Sequence, residues 1–233
     1  MSLYDKAKAC FLAAIRASPE IGDAYVGLAM NEQLVANEMI RRQNFGIAEE
    51  SLAKAEQYVT TALKYDTTNP RIHTQLGYVY KDLAQRYIGT PRAAKAHEFT
   101  EKAAKHFKMT LALDDNSASA HNGLGNVHML QGDYDRAIDL SGKATELAPE
   151  YLFAFFDLAM AYYAKYRATQ TRTERIKAIR GFFEACKEIG RISSSDGATP
   201  EASFPQSLPP AALRSLTQIM NWMQRESDKI LES

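Results

Sequence analysis

Cysteine is scarce in this 233-residue chain: Cys10 and Cys186 are the two present, and they lie far apart. Such spacing offers neither a disulfide framework nor a zinc-ligand pattern, so a reduced, cytoplasmic setting is the expectation. Net charge is lacking too, with 28 basic residues against 28 acidic ones. A chain so balanced carries no global electrostatic footprint for nucleic acid, and nucleic acid is not expected as a partner. Long apolar runs are missing: the longest, Tyr151 to Ala164, is broken by Asp157 and is too short to span a bilayer. No secretory core follows Asp5, Lys6 and Lys8, and no membrane is expected as a partner. Val and Ile are few beside Ala and Tyr, which favours helix, and 45% hydrophobic with 24% charged is a globular composition.

What is present is helical periodicity, clearest from Ser117 to Pro149. Leu124, Val127, His128 and Leu130 recur at helical spacing, and Ala137, Ile138, Ala144 and Leu147 do so again after a turn at Gln131-Gly132-Asp133. Gly132 suits a helix end and Asp133 a helix start. Each segment has one face to bury and neither can bury it alone. Small residues, Gly125, Ala137 and Ala144, stand where the two backbones would approach, and Pro149 ends the second helix.

Leu124-Gly125, His128, Gly132-x-Tyr134, Ala137, Ala144 and Pro149 resemble the tetratricopeptide repeat, with His121 at the large-residue position three before the Leu-Gly pair. The resemblance extends along residues 3 to 190. It implies an all-α fold, a right-handed superhelical solenoid of antiparallel helix pairs, with an extra C-terminal helix. Leu3 to Ser18 reads as a half repeat ending at Pro19, and repeats follow at about 20–67, 68–115, 116–149 and 150–190. Ser193 to Pro210 holds ten Ser, Pro or Gly in 18 residues, and 191–210 reads as a linker. Residues 211–233 form an amphipathic stripe through Leu213, Leu216, Met220, Met223 and Ile230.

The terminators Pro19, Thr67, Asp115, Pro149 and Gly190 stand 48, 48, 34 and 41 residues apart. Against a unit of about 34 residues the first two repeats carry 14 extra each. Fourteen residues shared by two antiparallel helices add about two turns to each. The insertions are therefore expected as lengthened helices projecting from one edge, with Gly89-Thr90-Pro91 as the second turn.

Proteins of this family line a concave groove with their first helices and hold an extended peptide or a helix there. Carried onto this chain, the groove positions are Asp23, Val26, Met30 and Gln33, then Arg71, Thr74, Tyr78 and Lys81, then Ser119, Asn122, Asn126 and Met129, then Phe153, Phe156, Met160 and Tyr163. The expected peptide site comprises Met30, Tyr78, Asn122, Asn126, Phe153, Phe156, Met160 and Tyr163. Asn122 and Asn126, one turn apart, suit a peptide backbone, and the α-helical aromatics after them suit an apolar anchor. Cover by the C-terminal helix is the competing reading of those aromatics. The Lys and Asn clamp that repeats of this kind use for acidic chaperone tails is absent, since Val26, Met30, Gln75, Ser119 and Gly123 fill its positions.

Charge is unevenly placed. Arg86, Arg92 and Lys95, and a second group from Lys165 to Arg180, are expected on one edge, and Glu20, Asp66, Asp114, Asp115, Glu146 and Glu150 on the other. Such runs are most simply solvated surface. His73, His121 and His128 fall at inward repeat positions, and His97 and His106 lack a ligand cluster, so no metal and no cofactor is expected. Gly123-Leu-Gly125 sits within a helix and lacks a third glycine, which excludes a phosphate loop. No nucleophile has a base at suggestive spacing. The expectation is a non-catalytic scaffold, a module of a larger protein, that binds a protein or peptide partner. Self-assembly into a homo-oligomer through Leu213, Met220 and Trp222 or through the terminal repeat is the alternative, and an accessory domain of an enzyme is the weaker one.

Overall fold

The computed structural model describes residues 3–194 and 210–232; the middle of the expected linker lies outside them. Among the described residues there are ten helices and no strand: α1 (Leu3–Ala17), α2 (Gly22–Arg41), α3 (Phe45–Tyr65), α4 (Pro70–Tyr87), α5 (Ala93–Leu113), α6 (Ala118–Leu130), α7 (Tyr134–Leu147), α8 (Leu152–Ala168), α9 (Arg172–Ser194) and α10 (Pro210–Glu232). They form two compact units, Met1–Leu130 and Gln131–Ser233.

Local chemistry sets the helix ends. Asn69 caps α4 by accepting from the Arg71 amide at 3.0 Å, with Pro70 in the first helical position where its missing N–H costs nothing. Asp133 accepts from the Arg136 amide at 3.4 Å to open α7, and Gly132 before it takes φ 79°. At the end of α2 the left-handed residue is Gln43, φ 60°, closed by bonds from its own amide to the Ile40 carbonyl (3.0 Å) and from the Asn44 amide to Met39 (2.8 Å). The expected lengthening is seen directly: α2 and α3 have 20 and 21 residues and α4 and α5 have 18 and 21, against 13 in α6 and 14 in α7. One expected end is wrong. Helix α9 runs through Gly190 to Ser194, since an internal glycine weakens a helix by only about 1 kcal/mol and need not stop it.

In the first unit each long helix pairs with the next, α2 with α3 and α4 with α5, and the short turns make the pairs antiparallel. The helices α2, α4 and α6 then lie side by side. Phe107 of α5, wholly buried, is wedged against α4 and α6. A Cβ on Gly77 of α4 or on Gly123 of α6 would stand 2.6 and 2.3 Å from its ring, so both helices approach it by lacking a side chain there. In the second unit α7 packs on α8, α8 on α9, and α9 on α10. Its core joins Leu152, Ala159 and Tyr166 of α8, Phe182, Cys186 and Ile189 of α9, and Leu216 and Met223 of α10.

Candidate protein-binding face

The face of the first unit formed by α2, α4 and α6 carries the early groove positions. Met30 and Leu34, one turn apart on α2, are 49% and 52% exposed, although both are large and apolar. Beside them the side chains of adjacent helices tie to each other. Gln33 Nε2 donates to Asp82 Oδ2 at 2.7 Å and Gln33 accepts from Gln75, which is buried. Lys81 pairs with the same Asp82 at 2.5 Å, and Arg71 reaches Asp23 at 3.5 Å. Tyr78 joins α4 to α6 by donating its hydroxyl to the Ser119 carbonyl at 2.8 Å, with its ring edge-on to Phe107. The expected site residues Met30 and Tyr78 thus share one face. Met30 is half exposed, whereas Tyr78 is tied into the packing between α4 and α6.

Two expectations need correction. Asn122 is 1% exposed, so its amide is interior and not presented to a peptide. Asn126, one turn on, is half-buried. Of the α8 set, Phe153, Phe156 and Tyr163 pack against the core of the second unit, and Met160 is half-buried. Trp222 of α10 meets Tyr163 edge-on at 5.8 Å and Tyr166 at 5.5 Å. The open aromatic floor is therefore partly roofed by the chain's own last helix. Tyr166 donates to Glu226 at 3.0 Å and Arg172 donates to the Ile230 carbonyl at 2.8 Å, so polar bonds fix α10 as well. Its outer positions, Arg214, Gln218, Asn221 and Arg225, are exposed and polar. Met220 and Trp222, which the self-assembly alternative pairs with another chain, pack inside the unit; Leu213 stays 39% exposed. Asn122 and Asn126 belong to the first unit and the α8 aromatics to the second.

Sequence reasoning missed Leu34 and the Gln33, Gln75 and Asp82 network. Leu34 lies one turn after Met30 on the same stripe, a signal the sequence held; the network needs α2 and α4 adjacent before it can be seen. A second interior feature was also missed. His73 and His106 stack with ring centres 5.4 Å apart and Nδ1 atoms 3.1 Å apart. His73 Nε2 donates to the Thr67 carbonyl at 2.9 Å, which leaves its Nδ1 to accept from His106. Burial, and then the neighbouring His73, push His106 down to about 4 from 6.5. Tyr80 also stacks on His106, at 5.6 Å. Among the described residues no three His, Cys, Asp or Glu side chains gather as a metal would need.

Residues 92–151 match the family model described as tetratricopeptide repeat. That segment carries the tetratricopeptide-repeat pattern. Solved structures agree on the fold. TTC0263, a thermophilic tetratricopeptide-repeat protein of Thermus thermophilus, superposes with a TM-score of 0.63 at 18% identity, over 93% of this chain and 90% of that one. The MamA protein superposes with a TM-score of 0.53 at 17% identity, over 84% of this chain and 88% of its own. At such identities the tetratricopeptide likeness is one of fold. No curated protein matches the chain in sequence.

Proposed function

We propose that the chain is a non-catalytic protein-interaction scaffold whose binding face is that of α2, α4 and α6, and that it holds a peptide or helical segment with an apolar anchor. The observation that carries this is the pair Met30 and Leu34, exposed on the face where the first helices meet. Burying the exposed half of each of these two large apolar side chains gains about 0.8–1.5 kcal/mol apiece, enough together to anchor a short segment. Gln33, Asp82 and Lys81 beside them are held in place by one another, so polar contacts with a ligand cost little further ordering. Asn126 is kept in the set; Asn122 is not. The repeat bounds at 20–67, 68–115 and 116–149 are proposed as its units, with a last unit from 150 that runs past Gly190 to the end of α9, and the cytoplasm as its setting.

The test is peptide display on the purified protein. Selected peptides are expected to share a large apolar residue and to lose at least about tenfold in affinity for the Met30→Asp/Leu34→Asp variant, as burying a charge in place of two anchors implies. Peptides that bind the variant as well as the parent would remove this face from the proposal.

A further inference from the structure

The ends of the long helices carry a different surface. Helix α4 has five residues more than its neighbour α6, so its far end stands about 7 Å beyond that of α6. At this end the α2–α3 and α4–α5 turns lie together, because the Arg86 guanidinium covers the Phe45 ring at 4.5 Å. Ile40, Phe45, Ile47 and Ile88 are 36%, 43%, 45% and 47% exposed here. The first turn is stiff, locked by the Gln43 and Asn44 backbone bonds. The cations of this end are Arg86 on the Phe45 ring, Lys95 over the Tyr87 ring at 5.4 Å, Arg41 and Arg42 beside Ile40 in sequence, and Arg92, against the carboxylates Glu38 and Glu49. Glu38 pairs with both Arg41 and Arg42, and Glu49 takes the Tyr87 hydroxyl and Arg92. The next carboxylates, Glu50 and Glu98, are neutralised by Lys54 and Lys102. The tip is thus apolar at its centre and net positive at its rim.

We propose that this tip docks peripherally on an anionic lipid surface, with Phe45, Ile47 and Ile88 entering the headgroup boundary and the arginines meeting lipid phosphates. A protruding, stiff knob suits a deformable layer. A protein partner would need a hollow to match it, and an acidic peptide would find here no groove to lie in. Lipid interfaces take apolar side chains flanked by cations, and each cation near an anionic surface strengthens attachment about fivefold. No helix among the described residues is long and apolar enough to cross a membrane, so contact of this kind is reversible and salt-sensitive.

The experiment is co-sedimentation of the full chain with sonicated vesicles of phosphatidylcholine, alone and with phosphatidylserine at about one lipid in three, which makes the surface strongly negative. Binding is expected to the anionic vesicles and to fall at least about tenfold on raising salt from about 50 to about 500 mM. Phe45→Ser/Ile47→Ser and, separately, Arg41→Gln/Arg42→Gln are each expected to lose about tenfold. These side chains are exposed, and an unchanged thermal unfolding curve verifies that each variant is folded. Met30→Asp/Leu34→Asp should bind vesicles as the parent does, which separates this surface from the peptide face. Equal binding to neutral vesicles, absence of binding to both, or undiminished binding by the tip variants would overturn the proposal. So would tip variants that abolish a concentration-dependent dimer while leaving the vesicle fraction unchanged.

Discussion

Acid should weaken the first unit through His106. Its folded value lies near 4 and its unfolded value near 6.5, lowered first by burial and then by His73. At pH 7 the folded ring is neutral and the unfolded ring mostly so, and the cost is small. As pH falls below 6.5 the unfolded chain takes up a proton that the folded chain refuses, so stability declines until about pH 4 and then levels. Each unit of pH in that window is about 1.4 kcal/mol, and the full span comes to about 3 kcal/mol, a ceiling because the ring is only part-buried. Carboxylates also titrate below pH 5, so the measurement is a difference. Urea unfolding of the parent and of His106→Phe, which keeps a ring against Tyr80, is followed by circular dichroism at pH 7 and at pH 4.5. The variant forfeits the bond to His73 and is expected to be the weaker at pH 7. The parent is expected to lose about 2 kcal/mol more than the variant on acidification. Parallel losses, within about 0.5 kcal/mol, would refute the assignment of acid sensitivity to this histidine.

Further outcomes follow from packing. Phe107→Ala empties the wedge between Gly77 and Gly123 and should cost about 3–5 kcal/mol in unfolding free energy. Gly77→Ala, whose Cβ would strike that ring, should also lower the melting temperature. Trp222, the single tryptophan, lies against Tyr163 and Tyr166, so its emission should be blue-shifted and independent of protein concentration. Cys10 is exposed while burial in the α8, α9 and α10 core raises Cys186 to about 12, so a thiol reagent should label one site promptly and the other slowly. Trp222→Ala should quicken the slow phase, because it removes the ring that seats α10.

The repeat pattern was legible because it is local. Leu124-Gly125, Gly132 and the 48-residue spacings are written along the chain, and the long helix pairs of the first unit answer to them. Helix α9 was misjudged because a glycine signals an end only when nothing downstream packs, and Ile192 beyond it still reaches the core. The site was less legible. Periodicity assigns Asn122 to a face but not to an exposure, and one step of helix rotation takes it from a wall to the interior. The cover on Tyr163 depends on where α10 docks, and amphipathic spacing in residues 211–233 indicates that the helix must pack without saying on what. The Gln33 and Asp82 bond joins residues 49 apart, and His73 and His106 are 33 apart. Such pairs become visible only once the helices are side by side.

The central claim is that ligands meet the α2, α4 and α6 face. It is tested most directly by recording amide and methyl resonances of the labelled protein while a display-selected peptide is added. Shifts concentrated at Met30, Gln33, Leu34, Tyr78 and Asn126 are the predicted result. Shifts confined to α7 through α10, with Met30 and Leu34 unmoved at saturation, would contradict it.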